Sequence, residues 1–229
     1  MRLLFVEDFL NILFPRNCQM CKRSLHEFEE QLCVTCEESL PKTNYPLRPK
    51  RNDLVQKVEG LTKVNSVISF LRFTKEGQSQ QLIHEIKYKK KPALAKYLGN
   101  LLGRELLASG YELPELLIPV PLHSGKESRR GFNQSDEFAK GISEVINVPV
   151  SQCLIRTKFT ETQTKKTRAQ RLANVEGVFT VINADELVGK NVAIIDDVMT
   201  TGATLCACGN EVLDNDAKSV NFITIASGR

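Results

Sequence analysis

Apolar and polar positions alternate along the chain in two rhythms. Short apolar runs bounded by turn residues read as strands at 67–73, 116–120, 148–155, 177–182, 192–195 and 219–226. The run at 67–73 alternates, as a half-buried strand does. The run at 192–195 is apolar throughout and reads as a buried parallel strand. Between the strands, apolar residues recur at spacings of three and four. Leu82, Ile83 and Ile86 mark a short helix at 81–86. Leu94, Tyr97, Leu98, Leu101 and Leu102 mark one at 93–108, and Phe138, Ile142, Val145 and Ile146 another at 135–146. Strands alternating with helices imply an α/β fold, a mostly parallel sheet wrapped on both faces. Residues 41–53 carry Pro46 and Pro49 and read as an irregular linker. The predicted organisation is therefore a small module at 1–50 and a larger domain at 51–229.

The strand at 192–195 runs into two carboxylates, Asp196 and Asp197, where the strand is expected to end. Thr200-Thr201-Gly202-Ala203-Thr204 follows, then a helix from about Leu205. Ligands of open α/β sheets bind beyond the carboxyl ends of the strands. A helix N-terminus offers unpaired N–H groups and partial positive charge to a phosphate. Gly202 allows close backbone approach, and the threonines add hydroxyls. Paired carboxylates do not serve a phosphate, but they accept hydrogen bonds from a ribose diol. The order predicts a sugar-phosphate site.

Composition narrows the class. The chain has 229 residues, 41% hydrophobic and 25% charged, ordinary for a globular protein. No apolar run approaches the ~20 residues needed to cross a bilayer. Residues 3–14 are apolar but contain Glu7 and Asp8, so they read as a short amphipathic helix and not a signal peptide. A cytoplasmic location is expected, with no membrane insertion and with the seven cysteines reduced. Cys18, Cys21, Cys33 and Cys36 form two C-x2-C pairs eleven residues apart. Four thiolates suit one structural zinc ion and leave no open position for catalysis. His26 lies inside that loop and reads as a surface residue. Cys153, Cys206 and Cys208 read as packing residues. Net charge is +4 with pI about 8.6, below the ~9 of a dedicated nucleic-acid domain. Basic residues concentrate around Lys87 and Lys89 and again at 156–171.

A second motif, Ile118-Pro119-Val120-Pro121-Leu122-His123 followed by Arg129-Arg130-Gly131-Phe132-Asn133-Gln134, precedes the helix at 135–146. A proline-stiffened strand end presents the amides of Leu122 and His123 to an anion, and Arg129 and Arg130 add bidentate phosphate contacts. Val192 to Thr204 resembles the 5-phosphoribosyl-1-pyrophosphate (PRPP) signature of the type I phosphoribosyltransferases. The whole chain resembles the ComF family, named for a competence protein, through its four cysteines, Ile86-Lys87-Tyr88-Lys89-Lys90-Lys91, the proline motif and the acid–threonine motif. The resemblance implies a type I phosphoribosyltransferase fold with an N-terminal zinc module. It implies that Asp196 and Asp197 hold the ribose and Mg²⁺, that residues 200–204 hold the 5′-phosphate, and that Leu122 and His123 hold the diphosphate. Where this chain has Ser124-Gly125-Lys126-Glu127, many relatives carry a denser run of arginines. The polar segment 157–174 matches a loop of the family, with Gln163, Arg168 and Arg171 as phosphate or DNA contacts alongside Lys87, Lys89, Arg129 and Arg130. The expected role is PRPP binding in the uptake or processing of single-stranded transforming DNA, with a competence helicase as a partner. The alternatives are an active Mg-dependent phosphoribosyltransferase and a PRPP-sensing regulator.

Overall fold

The computed structural model describes residues 16–122, 131–157 and 177–228. The helix expected at 3–14 lies outside them. Four parallel strands form the main sheet in the order β1–β6–β5–β2: β1 is Val64–Arg72, β2 Leu116–Pro119, β5 Asn191–Met199 and β6 Ser219–Ser227. β5 and β6 are central and covered on both faces, which is why they read as near-continuous apolar runs.

β1 departs from its alternating pattern: Ser66 through Leu71 are all buried. Its polar residues are satisfied internally, Ser66 Oγ donating to Asn221 Oδ1 at 2.7 Å and Ser69 Oγ to the Leu71 carbonyl at 3.0 Å. The stretch expected as a linker covers the free edge of β1. Thr43 N–H donates to the Phe70 carbonyl at 2.9 Å, Arg72 N–H to Pro41 at 2.8 Å and Val67 N–H to Pro49 at 3.0 Å. The prolines leave room for only one 3₁₀ turn, Tyr45–Leu47, and do not bar a place beside an edge strand.

Three helices pack on one face: α3 (Gln78–Tyr88), α4 (Pro92–Ala108) and α5 (Gln134–Ile146). Leu82, Leu98, Phe138 and Ile142 meet Ala193, Ile195 and Ile223 there. α4 and α5 touch backbone to backbone, since a Cβ on Gly141 would stand 2.0 Å from the Lys96 carbonyl oxygen. The other face carries α2 (Asp53–Val58) and α6 (Ala203–Asp214), with Val58, Leu205 and Val212 against Val192, Ile194 and Phe222. The strand expected at 148–155 is split. Val150 bridges to Leu117, and only β3 (Leu154–Arg156) continues, pairing antiparallel with β4 (Phe179–Val181). β5 leaves through α6 toward β6, whereas β2 leaves through α5 toward the Val150 bridge. The connections diverge between β2 and β5, which makes the crevice there the natural ligand position.

The cysteine module is seated on this scaffold. Cys18, Met20, Leu32, Cys33 and Leu40 share one core with α3 and α4. Gln81 Nε2 donates to the Met20 carbonyl at 3.1 Å, Lys22 pairs with Glu85 at 3.0 Å, and Tyr97 hydrogen-bonds Glu37 of α1 (Val34–Glu38). Among the described residues no helix is long and apolar enough to cross a membrane.

Candidate functional site

β5 does not stop at the acids. It runs to Met199 because β6 pairs with it that far, Asp196 opposite Thr224 and Met199 opposite Ser227. β2 stops earlier: its last rung is Pro119 with Ile195, and Val120 N–H donates to the Ile195 carbonyl at 2.8 Å. The acid pair thus stands just past the end of β2, held straight by β6. Asp197 is turned toward α3, where Lys87 meets it, and Asp196 sits between the start of α5 and the turn before α6.

Asp196 Oδ1 accepts from Ser135 Oγ at the start of α5 (3.1 Å) and from the Asp197 N–H (2.8 Å). Burial and, next, the charge of Asp197 push its carboxyl up to about 7; the Asp197 N–H, Lys87 and Ser135 act in the opposite direction. Asp197 pairs with Lys87 of α3 at 2.7 Å. Thr224 lies beside Asp196 in register and is fully buried, and its hydroxyl has no partner among the described residues. Beyond β5, Gly202 caps α6 with φ +80°. A Cβ at that position would stand 2.6 Å from Val58 Cγ1, so glycine is required both by the left-handed backbone and by the close contact. Thr200, Thr201, Ala203 and Thr204 line a small hollow of about 30 Å³ together with Asp196. That volume admits an oxygen-sized group.

The second cluster is the cysteine set. The sulfurs of Cys18, Cys21, Cys33 and Cys36 all lie within 4.8 Å of one another, and Cys21 and Cys33 are 3.7 Å apart. Four thiolates ~2.3 Å from a tetrahedral ion are spaced by about 3.8 Å, so the set fits zinc. Burial would raise the Cys33 thiol, but the Cys36 N–H and Arg23 outweigh it and bring it to about 6. Cys36 goes the other way, to about 12, through burial and the neighbouring thiols. Arg23 is held by Glu29 at 2.5 Å, and Glu29 also accepts the N–H groups of His26 (2.8 Å) and Val34 (2.9 Å). One buried carboxylate therefore ties the loop between the cysteine pairs to the start of α1 and to the cation beside the thiols. His26 is exposed and stacks on Phe28 at 5.7 Å between centroids.

The phosphoribosyl transferase domain family matches residues 133–229, the span that holds α5, the acids and the turn. DNA utilization protein YhgH of Escherichia coli O157:H7 is 30% identical over 208 residues, 89% of this chain and 86% of that protein. Competence protein F of Haemophilus influenzae is 36% identical over 96 residues, 41% of this chain and 42% of that protein. Competence protein ComFC of Bacillus subtilis is 37% identical over 111 residues, 48% of this chain and 43% of that protein. The chain belongs to the ComF family. Its fold is that of a type I phosphoribosyltransferase domain, carrying a four-cysteine cluster near its N-terminus.

Within this ComF chain the structure brings Asp196, Asp197, residues 200–204 and Lys87 to one end of the sheet. Leu122 lies three residues past β2, at that same end. Lys89 is exposed on a different surface, beside the cysteine module. His123, Arg129, Arg130, Gln163, Arg168 and Arg171 lie outside the described residues. Asn133 caps α5, accepting from Ser135 N–H at 3.1 Å, and its amide holds the Val120 carbonyl at 3.0 Å. Sequence reasoning missed Ser135, Thr224, Arg23 and Glu29. Ser135 directly follows a recognised motif, and its place at a helix start was the available signal. Cys153, Cys206 and Cys208 are buried core residues, as expected.

Proposed function

We propose that this ComF protein binds PRPP as its magnesium complex at the β5–α6 end of the sheet and uses that site in handling single-stranded transforming DNA. The observation that carries the reading is the acid pair standing past β2 beside a turn whose glycine is in the left-handed conformation. The N-terminus of α6 offers amides to the 5′-phosphate, and the hollow there takes one phosphate oxygen. Asp196 and Asp197 accept from the ribose hydroxyls. Mg²⁺ is supported by the donor set: two carboxylates at one spot, one of them resisting ionisation, are relieved by a divalent ion. When bound, that ion neutralises the ligand's diphosphate. Zinc is the ion that the four thiols fit, and its role is to hold the module together.

Calorimetry with Mg·PRPP on the full chain tests the reading. The parent is expected to bind, and Asp196→Asn/Asp197→Asn to lose ~100-fold or more in affinity, about 2.7 kcal/mol. Equal binding by both proteins would remove it. Turnover with any acceptor would make the protein an active phosphoribosyltransferase; no described residue identifies an acceptor, so binding is the activity proposed.

For DNA the support is the relatives' names and a surface away from the acids. Between the cysteine module and the turn after α3 lies a cleft of about 660 Å³ lined by Arg16, Lys22, Lys89 and Lys91, with Glu30 and Glu85 among them. Tyr88, at the end of α3, and Phe28, in the cysteine module, are exposed at 65% and 76%, and an exposed aromatic face stacks bases without regard to sequence. Titration with single-stranded DNA at several salt concentrations is expected to give a negative salt slope, less steep by ~1.4 in Lys89→Ala/Lys91→Ala. Binding with no salt slope, or none at all, would remove the DNA reading. A helicase partner is tested by mixing the two purified proteins with and without DNA.

A further inference from the structure

A basic residue from another element stands directly against the acid pair. Lys87 Nζ stands 2.7 Å from Asp197 Oδ2, with its side chain 20% and that of Asp197 14% exposed. Lys87 lies in the last turn of α3, where the helix dipole favours a cation. The flank of α3 that carries Gln81 and Glu85 grips the cysteine module, through Met20 and Lys22. At ~100° per residue, Lys87 projects roughly opposite Glu85. One helix therefore sits between the two clusters, anchored by one side and delivering an ammonium from the other.

Resting on the phosphoribosyl reading above, we propose that Lys87 is a ligand-contacting residue of the site and that it serves the diphosphate of the ligand, not the 5′-phosphate. Two carboxylates facing a polyanion repel it, and a fixed cation on the same spot offsets that repulsion. The side on which Lys87 stands decides which phosphate it meets. The turn at 200–204 opens α6, on the face of the sheet opposite α3. Lys87 approaches Asp197 from the α3–α5 face, across the sheet from α6. It reaches the end of the ligand that lies away from the turn.

The test is calorimetry on the full chain with two probes, Mg·PRPP and ribose 5-phosphate, the second lacking the diphosphate. Lys87→Met is expected to weaken Mg·PRPP ~10-fold or more and to leave ribose 5-phosphate within twofold. Lys87→Arg is expected to keep most of the Mg·PRPP affinity, and it serves as the folded comparator if Lys87→Met is unstable, with Lys87→Gln as the neutral replacement. Unchanged or tighter Mg·PRPP binding by the neutral variant overturns the inference, because Lys87 would then be a bystander or a latch that competes with the ligand. Equal loss for both probes also overturns it, showing a structural role. A parent that binds neither probe overturns the phosphoribosyl reading itself, and this inference with it.

Discussion

The four thiols and the two carboxylates pose one electrostatic problem and answer it differently. Each is a set of like-charged donors brought together by short spacing in the chain. At the thiols the answer is complete. Cys18 and Cys33 are buried, Arg23 stands beside Cys33, Glu29 fixes Arg23, and the sulfurs already have the spacing of a tetrahedral ion. At the acids it is partial. Asp196 is held as high as about 7, a buried Thr224 hydroxyl beside it lacks a partner among the described residues, and Lys87 pairs with the second acid alone. A structural centre settles its own charges. The proposed binding site leaves some unsettled, for a ligand to relieve.

Breaking the settled centre should cost most. Cys33→Ser, or removal of the metal by a chelator, is expected to lower stability by ~3–5 kcal/mol or to unfold the chain, because Cys33 belongs to the core that α3 and α4 share. Thermal unfolding with zinc content measured in parallel checks this. Cys153→Ser, equally buried but outside the cluster, should cost only ~1–2 kcal/mol and leave zinc unchanged. Retention of one equivalent of zinc and an unaltered Tm in Cys33→Ser would erase the contrast. A smaller effect is expected at the turn. Gly202→Ala places a Cβ 2.6 Å from Val58 Cγ1 at φ +80° and should destabilise by ~1–3 kcal/mol. It should also weaken Mg·PRPP, whereas Gly189→Ala, at φ +71° with open space around it, should share the backbone strain and leave binding intact.

The two clusters were also unequally legible. Cysteine spacing is local, so a C-x2-C pair announces its partner set before any fold is known. The acid–threonine motif is equally local, and it gave the turn and both carboxylates. What sequence could not supply was anything that arrives from another element. Ser135 reaches Asp196 across 61 residues and Lys87 reaches Asp197 across 110, and neither contact leaves a periodic trace. Glu29 looked like one more surface acid, yet it is 4% exposed. Strand limits failed for the same reason. β5 extends through its acids because β6 supplies partners, and β1 is buried throughout because a proline-rich stretch, expected to wander, lies along its edge. Period and spacing reveal what an element is, not what covers it.

The smallest effect is also the sharpest reading of the unsettled site. The folded protein raises the Asp196 carboxyl from 3.8 to about 7, chiefly by burial and by the charge of Asp197. A raised carboxyl binds its proton more tightly in the folded than in the unfolded chain, so ionising it costs stability. That cost is absent below the unfolded value and accumulates as pH rises through the window from 3.8 to about 7. Ser135, Lys87 and Asp197 face this group from α5, α3 and β5, and Arg156 and Cys208 act on it from β3 and α6. Asn at position 196 cannot ionise. Asp196→Asn is therefore expected to be more stable than the parent by ~1–2 kcal/mol at pH 8, with the gain shrinking toward zero near pH 4, while it binds Mg·PRPP more weakly at every pH. Denaturant unfolding across that range checks the sign. A variant less stable than the parent at pH 8 would mean that Asp196 is already paid for by its neighbours, and the two clusters would then be settled alike.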